Sequence, residues 1–476
     1  MKTYFNIGYF CSPLNTQNNH GYNYKMRSTP FIFMLAILFS TSCKATIYRI
    51  SDRIINDINR TSLQNQKDFP EAVTKTSPDN YPLFNAYPTL QDKLPMVPLC
   101  NCPTPVSRLH TIENAIDGKS KNIKIYVKQD GQTNTAIYGG NKVRKLELLM
   151  AQALFSGKKT MLITGTAGSN SVVATALFAK RLGIAPEIHL APQLPSEQVK
   201  TNLLTLARIM QMPTQRNPDR GLISYHNSTA RIFKLVFRKI LFAPFSKAPL
   251  PFICPPGATT PLTTIAYINA MYELLEDVEQ GRLAKIPSKI FVPAGSGGTF
   301  IGLLIGKKLL PQFSNTALIA VTSGSKRPTE QYLRHAQEVT AYLQVASKQT
   351  HAPLSFTENE LDNLIDRSFA AGGYGEITPN GEEAMALATE DNLKTEHTYT
   401  AKTIARLIHD GRQAKKQKEV EIWLYWHTHN SDGKQYNTLT KGPITEEDMQ
   451  TLKAFLNKKQ LEMYGFVPQN DENQKK

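Results

Sequence analysis

The amino-acid sequence predicts an α/β protein with a largely parallel sheet, on three observations. From Leu94 onward, apolar runs alternate with segments of helical periodicity. The stretch KKTMLITGTAGSNSVVATALFAKRLG reads as buried strand, glycine-rich turn and helix, and SKIFVPAGSGGTFIGLLIGKKLL repeats that grammar. Strands alternating with helices build parallel sheets through crossover connections, and no solenoid-type repeat is visible.

The bulk properties agree. At 476 residues, with 41% hydrophobic and 20% charged content, the chain can bury two substantial cores and is not composed like a disordered one. Its formal net charge is +16, but no zinc-finger or ribonucleoprotein signature accompanies the basic residues. The charge therefore points to an anionic ligand or a membrane surface rather than to nucleic acid. Cys100 and Cys102 are too closely spaced for a zinc knuckle; with Cys254 they are expected as unpaired thiols, and no metal site is expected.

Residues 1–47 read as a leader. MRSTPFIFMLAILFSTSCKA sets a basic residue, an apolar run from Phe31 to Phe39 and small residues ending at Cys43. That is the layout of an export signal, and it is too short for a comfortable membrane span. It reads best with translation starting at Met26, and Ser40-Thr41-Ser42-Cys43 resembles a lipoprotein cleavage box with serine in place of leucine. The expectation is export or membrane anchoring through this segment, and a cytoplasmic chain if it is not a signal. Residues 48–80, polar and aperiodic, suit a tether, and residues 466–476 a polar tail.

The ordered elements follow in turn. NIKIYVKQD alternates as a strand does, and KVRKLELLMAQALF carries apolar residues at helical spacing. RIFKLVFRKILFAPF places Arg231, Lys234 and Arg238 on one helical face and Phe233, Phe237 and Leu241 on another. This suits either a membrane-surface helix or a packed helix with a solvated face. ALIAVTSGS is another buried strand, and GGYGEITPNGEEA sets Tyr374 in a glycine loop before a helix that Thr378-Pro379 can start. HTYTAKT holds Tyr399; EVEIWLYWHTHNSDG is a strong strand ending at Thr428, with Trp423 and Trp426 expected in the core.

The chemistry concentrates in a few turns. In YGGNKVRKLELLM, Lys142 opens a helix beside Arg144 and Lys145. Either lysines exposed to water follow a loop closed on Gly-Gly-Asn, or Lys142 is a reactive amine whose cationic neighbours hold a phosphate. In PAGSGGTF, Gly295, Gly297 and Gly298 let the backbone approach a ligand, and the N–H groups of the first helical turn suit a phosphate. The following glycine is Gly302, which is the wrong spacing for a dinucleotide fingerprint. Ser169 and Asn170 in GTAGSNS stand where a helix N-cap belongs, and PPGATTPL marks a junction.

The order of these pieces carries a resemblance. Gly-Gly-Asn-Lys-x-Arg-Lys-Leu-Glu, Gly-Ser-Asn, Pro-Gly-x-x-x-Pro-Leu, Gly-Ser-Gly-Gly-Thr, Gly-Tyr-Gly, Tyr-Thr-x-Lys and strand-His-Thr follow one another, over roughly Tyr81 to Tyr464. In that order they resemble the D-cysteine desulfhydrase and 1-aminocyclopropane-1-carboxylate deaminase family of pyridoxal 5'-phosphate enzymes. The resemblance implies fold type II: two open, twisted, mostly parallel sheets with the cofactor in the cleft between domains. Residues 81–146 and 253–465 would form the large domain and 147–252 the small one.

By the same resemblance, Lys142 matches the lysine that bonds to the cofactor aldehyde and Asn141 a neighbour beneath the ring. Lys145 matches a residue reaching the phosphate; Asn170 and the Gly295, Ser296, Gly297, Gly298, Thr299 turn match the rest of the cradle. Ser169, Tyr374 and Tyr399 match active-site groups that bind or activate a small amino acid. The deaminase branch has glutamate and leucine where this chain has Thr400 and Thr428, a pattern similar to the desulfhydrase branch, with Thr428 near the pyridine nitrogen. The expected reaction is α,β-elimination, with the deaminase reaction or cofactor binding without turnover as alternatives. Ser171 departs from the family's histidine and His429-Asn430 from its Gly-Gly. A homodimer is the expected assembly, and no nucleic-acid partner is expected.

Overall fold

The computed structural model describes residues 81–91, 93–213, 221–242, 249–324, 327–348, 354–370, 373–430 and 433–468. The leader, its Phe31–Phe39 run and the tether lie outside the described residues, as does the tail beyond residue 468. Two sheets organise the rest. The larger contains β1 (Val106–Arg108), β2 (Ile123–Gln129), β7 (Lys289–Ala294), β8 (Ala317–Thr322), β9 (Ile365–Asp366) and β10 (Glu421–His427), in the order β1-β2-β10-β7-β8-β9. The smaller contains β3 (Thr160–Thr166), β4 (Ala185–Ala191), β5 (Leu222–Tyr225) and β6 (Phe252–Cys254), in the order β5-β4-β3-β6. Every pairing is parallel except β1 with β2.

The strand sequences explain their places. β10 lies between β2 and β7, and its residues Ile422 to His427 are all buried. A continuous apolar run is what a parallel strand covered on both faces requires. Trp423 packs against Phe291 of β7 and Trp426 against Tyr267, so both tryptophans are core residues.

Six of seven helices bear on the site: α1 (Lys142–Phe155), α2 (Asn170–Arg181), α3 (Thr229–Phe242), α4 (Pro261–Glu279), α5 (Gly298–Leu309), α6 (Thr329–Ser347) and α7 (Thr400–Gln413), α3 packing instead on the smaller sheet. α4 starts with Thr260, whose side chain accepts from Thr263 N and so satisfies an otherwise orphaned donor. α4 and α5 pack closely because α5 carries glycines at the contact. A Cβ on Gly302 would lie 2.4 Å from Tyr267 Cβ, and one on Gly306 2.6 Å from Met271 Cβ. In α3 the inward residues are Ile232 and Val236, which join Leu162, Ala191 and Ile253. Phe233, Phe237 and Leu241, expected as its apolar face, are only half-buried because the core lies to one side of them.

One buried polar network ties the layers together. Arg144, two residues after Lys142, points away from solvent and bridges Asp130 Oδ1 at 2.9 Å and Glu273 Oε2 at 2.8 Å. Lys128 pairs with Glu273 at 2.6 Å and with Asp277 at 2.5 Å. Tyr267 Oη and Trp426 Nε1 complete the shell of Asp130 Oδ2, at 2.6 and 2.9 Å. Burial raises the Glu273 carboxyl, but the Arg144 and Lys128 cations outweigh it and hold the acid well below its usual range. Arg144 was read in the sequence as part of the positive charge around Lys142. It is instead neutralised inside the core by Asp130 and Glu273.

Breaking such a network from one side leaves uncompensated buried charge. Arg144→Ala is expected to lower stability by about 3–5 kcal/mol in chemical denaturation. A loss under about 1 kcal/mol would mean that Asp130 and Glu273 do not depend on it.

Candidate active site

Some of the residues singled out by sequence, and others that were not, lie just past the carboxyl ends of strands, where open parallel sheets bind ligands. Asp130 follows β2, Ser169 and Asn170 follow β3, Gly257 and Thr259 follow β6, Gly295 to Thr299 follow β7, Ser323 follows β8 and Thr428 follows β10.

Lys142 is the first residue of α1, and its backbone position is over-determined. Gly140, at φ 97°, donates its N–H to Asp130 O at 2.8 Å. Asn141 N donates to Thr428 O at 3.1 Å, and Tyr267 Oη lies 3.1 Å from Asn141 O. The Lys142 amine donates to Asn141 Oδ1 at 2.9 Å, and Asn141 Nδ2 donates to Thr299 Oγ1 at 3.0 Å. Burial pushes the Lys142 amine down to about 8, the Glu396 carboxylate opposing it in part. A lysine so tuned is roughly a tenth neutral at pH 7, on the order of two hundredfold more than an ordinary lysine, which favours nucleophilic or base chemistry.

One turn along, Lys145 shares that face of α1 and is 1% exposed. Its amine lies 3.1 Å from Thr259 Oγ1 and 3.4 Å from Gly257 O, and Thr259 Oγ1 lies 2.7 Å from Ser296 Oγ. The N-cap of α5 is Gly297, at φ 93°, which sets Gly298 against the Lys145 amine. A Cβ on Gly298 would lie 2.7 Å from Lys145 Nζ and 3.0 Å from Thr259 Oγ1. Burial, then Lys142 and Arg327, depress the Lys145 amine well below the usual lysine range. Basic groups packed this way beside hydroxyls and a helix N-terminus could hold a phosphate dianion.

Tyr399 Oη donates to Tyr374 Oη at 3.1 Å, with the rings edge to face. Burial raises both phenols, so they remain protonated donors. Tyr399 also packs on the turn after β7, since a Cβ on Gly295 would lie 2.8 Å from its ring. Glu396 fixes the start of α7: its Oε1 accepts from Tyr399 N and Thr400 N, each at 2.9 Å, and its Oε2 from Thr398 N at 2.8 Å. Thr400 is absorbed by this cap, its Oγ1 accepting from Glu396 N at 2.7 Å.

Ser169 caps α2, accepting from Val172 N at 3.4 Å. Asn170 Oδ1 accepts from Asn202 Nδ2 at 3.0 Å, while its Nδ2 lies 3.5 Å from His429 Nδ1. Burial lowers His429 to about 3, so its ring is neutral. Asn430 Oδ1 accepts from Gly139 N at 2.8 Å, which ties the strand end to the loop before Lys142. The geometry thus joins Asn141, Lys142, Lys145, Ser296, Gly298 and Thr299 directly, with Thr428 held to Asn141 through backbone.

Several contributors carried no local sequence signal. Thr259 sits in the loop read only as a junction, and Glu396 acts on Lys142, Tyr374 and Tyr399 alike. Tyr332 supports the glycine-rich turn by donating to Gly295 O at 3.0 Å. Ser323 Oγ and Thr166 Oγ1, both at strand ends, are buried with no partner among the described residues. The phosphate cradle, these orphaned hydroxyls and the desolvated Lys142 amine together fit pyridoxal 5'-phosphate.

Such a fold and site define a pyridoxal-phosphate enzyme of fold type II. The sequence profile described as "Pyridoxal-phosphate dependent enzyme" matches residues 97–428, and the chain belongs to that family. It is 30% identical over 347 residues to the "Putative 1-aminocyclopropane-1-carboxylate deaminase" of Pyrococcus horikoshii, covering 72% of this chain and 93% of that protein. It is 30% identical over 346 residues to the D-cysteine desulfhydrase of Salmonella typhi, covering 71% and 94%. The crystal structure of an ACC deaminase homologue superposes with a TM-score of 0.57 at 25% identity, over 74% of this chain and 98% of that one.

The depressed amine has a direct consequence. In cofactor-free protein, modification of Lys142 by an amine-reactive reagent, followed peptide by peptide, is expected to rise as pH passes through about 8. The neutral amine is the nucleophile, and burial favours it, so the rise comes below the ordinary lysine range of about 10.4. A rise confined to pH 10 and above would contradict the burial of this side chain.

Proposed function

We propose that the protein is a pyridoxal-phosphate lyase acting by α,β-elimination on a small amino acid, D-cysteine-like, giving pyruvate, ammonia and sulfide. The observation that carries this reading is a desolvated Lys142 under the influence of the same carboxylate, Glu396, as the hydrogen-bonded Tyr399–Tyr374 pair. Hydroxyl residues at Thr400 and Thr428, in place of a glutamate and a leucine, support elimination over ring opening.

When bound, pyridoxal phosphate supplies the electron sink that stabilises charge at the substrate's α-carbon. Lys145, Thr259, Ser296 and the start of α5 would hold its phosphate; Asn141 and Asn170 would flank its ring. The chain's own work is proton transfer and positioning. The neutral Lys142 amine takes the α-proton. Tyr399 donates to Tyr374, which leaves the Tyr374 proton directed onward to the departing sulfur. That sulfur leaves with the bonding pair and the proton, and water then converts the remaining unsaturated amine to pyruvate and ammonia. Ser169 caps α2 and lines the substrate side, and neutral His429 holds the Asn170 amide without adding charge.

The test offers the protein D-cysteine, L-cysteine and 1-aminocyclopropane-1-carboxylate separately. Sulfide and pyruvate from D-cysteine support the reading; ammonia and 2-oxobutyrate from the cyclopropane substrate would instead assign the deaminase reaction. Cofactor bound with no product from any of them would make the chain a binder without turnover. Tyr374→Phe is expected to lower turnover of D-cysteine about 100-fold or more, the usual scale for a lost acid–base group. Its cofactor absorbance should be unchanged.

A further inference from the structure

Helix α3 takes no part in the site. The stretch from Pro213 to Pro251 holds seven lysines and arginines against a single acid, Asp219, so positive charge that looks dispersed in the composition is concentrated here. α3 itself contains neither Asp nor Glu. Its inward face is occupied by Ile232 and Val236, with Ile240 packed beside them. Lys239 also turns inward, where it pairs with Glu187 of β4.

The other three basic residues behave differently. Arg231, Lys234 and Arg238 are exposed and have no ion pair among the described residues. Spacings of three and four set them in one row along the outer pole of the helix. Half-buried Phe237 and Leu241 run along one flank of that row, and half-buried Leu235 and 52% exposed Phe242 along the other. Leu222 of the edge strand β5 extends the surface. It is 53% exposed and lies opposite Glu187, so it points to the side of the sheet that α3 covers.

We propose that α3, with Leu222 beside it, docks on the surface of an anionic phospholipid bilayer. Charge complementarity favours that occupant: a row of one sign, unneutralised by any local carboxylate, is attracted by an anionic headgroup layer. The apolar flanks separate a bilayer from a nucleic acid. Basic heads can stay at the phosphate level while Phe237, Leu241 and Phe242 enter the headgroup–acyl boundary, whereas a nucleic acid would leave those side chains in water. The helix would lie in the membrane plane; among the described residues no helix is long and apolar enough to cross one. This inference does not rest on the reaction assigned to the cleft.

The test uses the full chain with its cofactor, co-floated with phosphatidylglycerol-containing vesicles or with pure phosphatidylcholine vesicles. The parent is expected to float with the anionic vesicles, increasingly so at low salt, and weakly with the neutral ones. Each basic residue near such a surface is worth roughly fivefold in partitioning. The triple variant R231Q/K234Q/R238Q should therefore lose roughly 100-fold, with thermal midpoint and cofactor absorbance unchanged. Phe242→Ser should weaken flotation further without altering its salt dependence. No flotation of the parent, equal flotation with both lipids, or full flotation of the triple variant would overturn the proposal. So would binding of DNA through these three residues in a chain that ignores vesicles.

Discussion

Arg144 is the residue on which the arrangement depends. The residue is 2% exposed, and its guanidinium is held by Asp130 just past β2 and Glu273 of α4, while Lys128 holds Glu273 and Asp277 from the other side. These contacts fix the first turn of α1 against two other elements, and Lys142 is the first residue of that turn. The same Asp130 accepts from Tyr267, whose hydroxyl also approaches the Asn141 carbonyl. A reactive amine must be held where the cofactor will be, on a support that does not give. Buried ion pairs of this kind are poor sources of net stability but demanding about geometry.

Desolvation then divides the labour between two lysines three residues apart. Lys142 is lowered to about 8, enough to act as a nucleophile or base. Lys145 is also lowered, by its burial first and then by the like charge of Lys142 and Arg327. A phosphate dianion placed between Lys145, the hydroxyls of Thr259 and Ser296, and the start of α5 would reverse that balance by supplying negative charge. Binding of the cofactor there would offset the like charge that depresses the Lys145 amine. The phenols of Tyr374 and Tyr399, raised by burial, remain donors over the whole physiological range.

Much of this was legible locally. The strand-turn-helix grammar around Gly295 to Thr299 gave β7 and α5, Thr378-Pro379 begins a helix as its capping chemistry requires, and Ser169 caps α2. Lys142 at a helix start was visible from Gly-Gly-Asn. What had no local mark was partnership across the chain. Arg144 meets a glutamate 129 residues away, and in the sequence it differs from Lys145 only by one position. Helical geometry does separate them: Lys142 and Lys145 fall on one face, and Arg144 is rotated about 100° from Lys145. Thr259 and Glu396 were missed because a hydroxyl in a proline-glycine loop and an acid before a helix look like ordinary turn and capping chemistry.

The central claim is that Lys142, so held and so desolvated, is the residue that joins the cofactor. The most direct measurement is the visible absorption spectrum of the purified protein beside Lys142→Ala, each before and after D-cysteine is added. The account predicts a yellow band in the parent that changes with the amino acid and is missing from the variant. A parent that stays colourless after reconstitution with pyridoxal phosphate, or a variant with the same band, would contradict it.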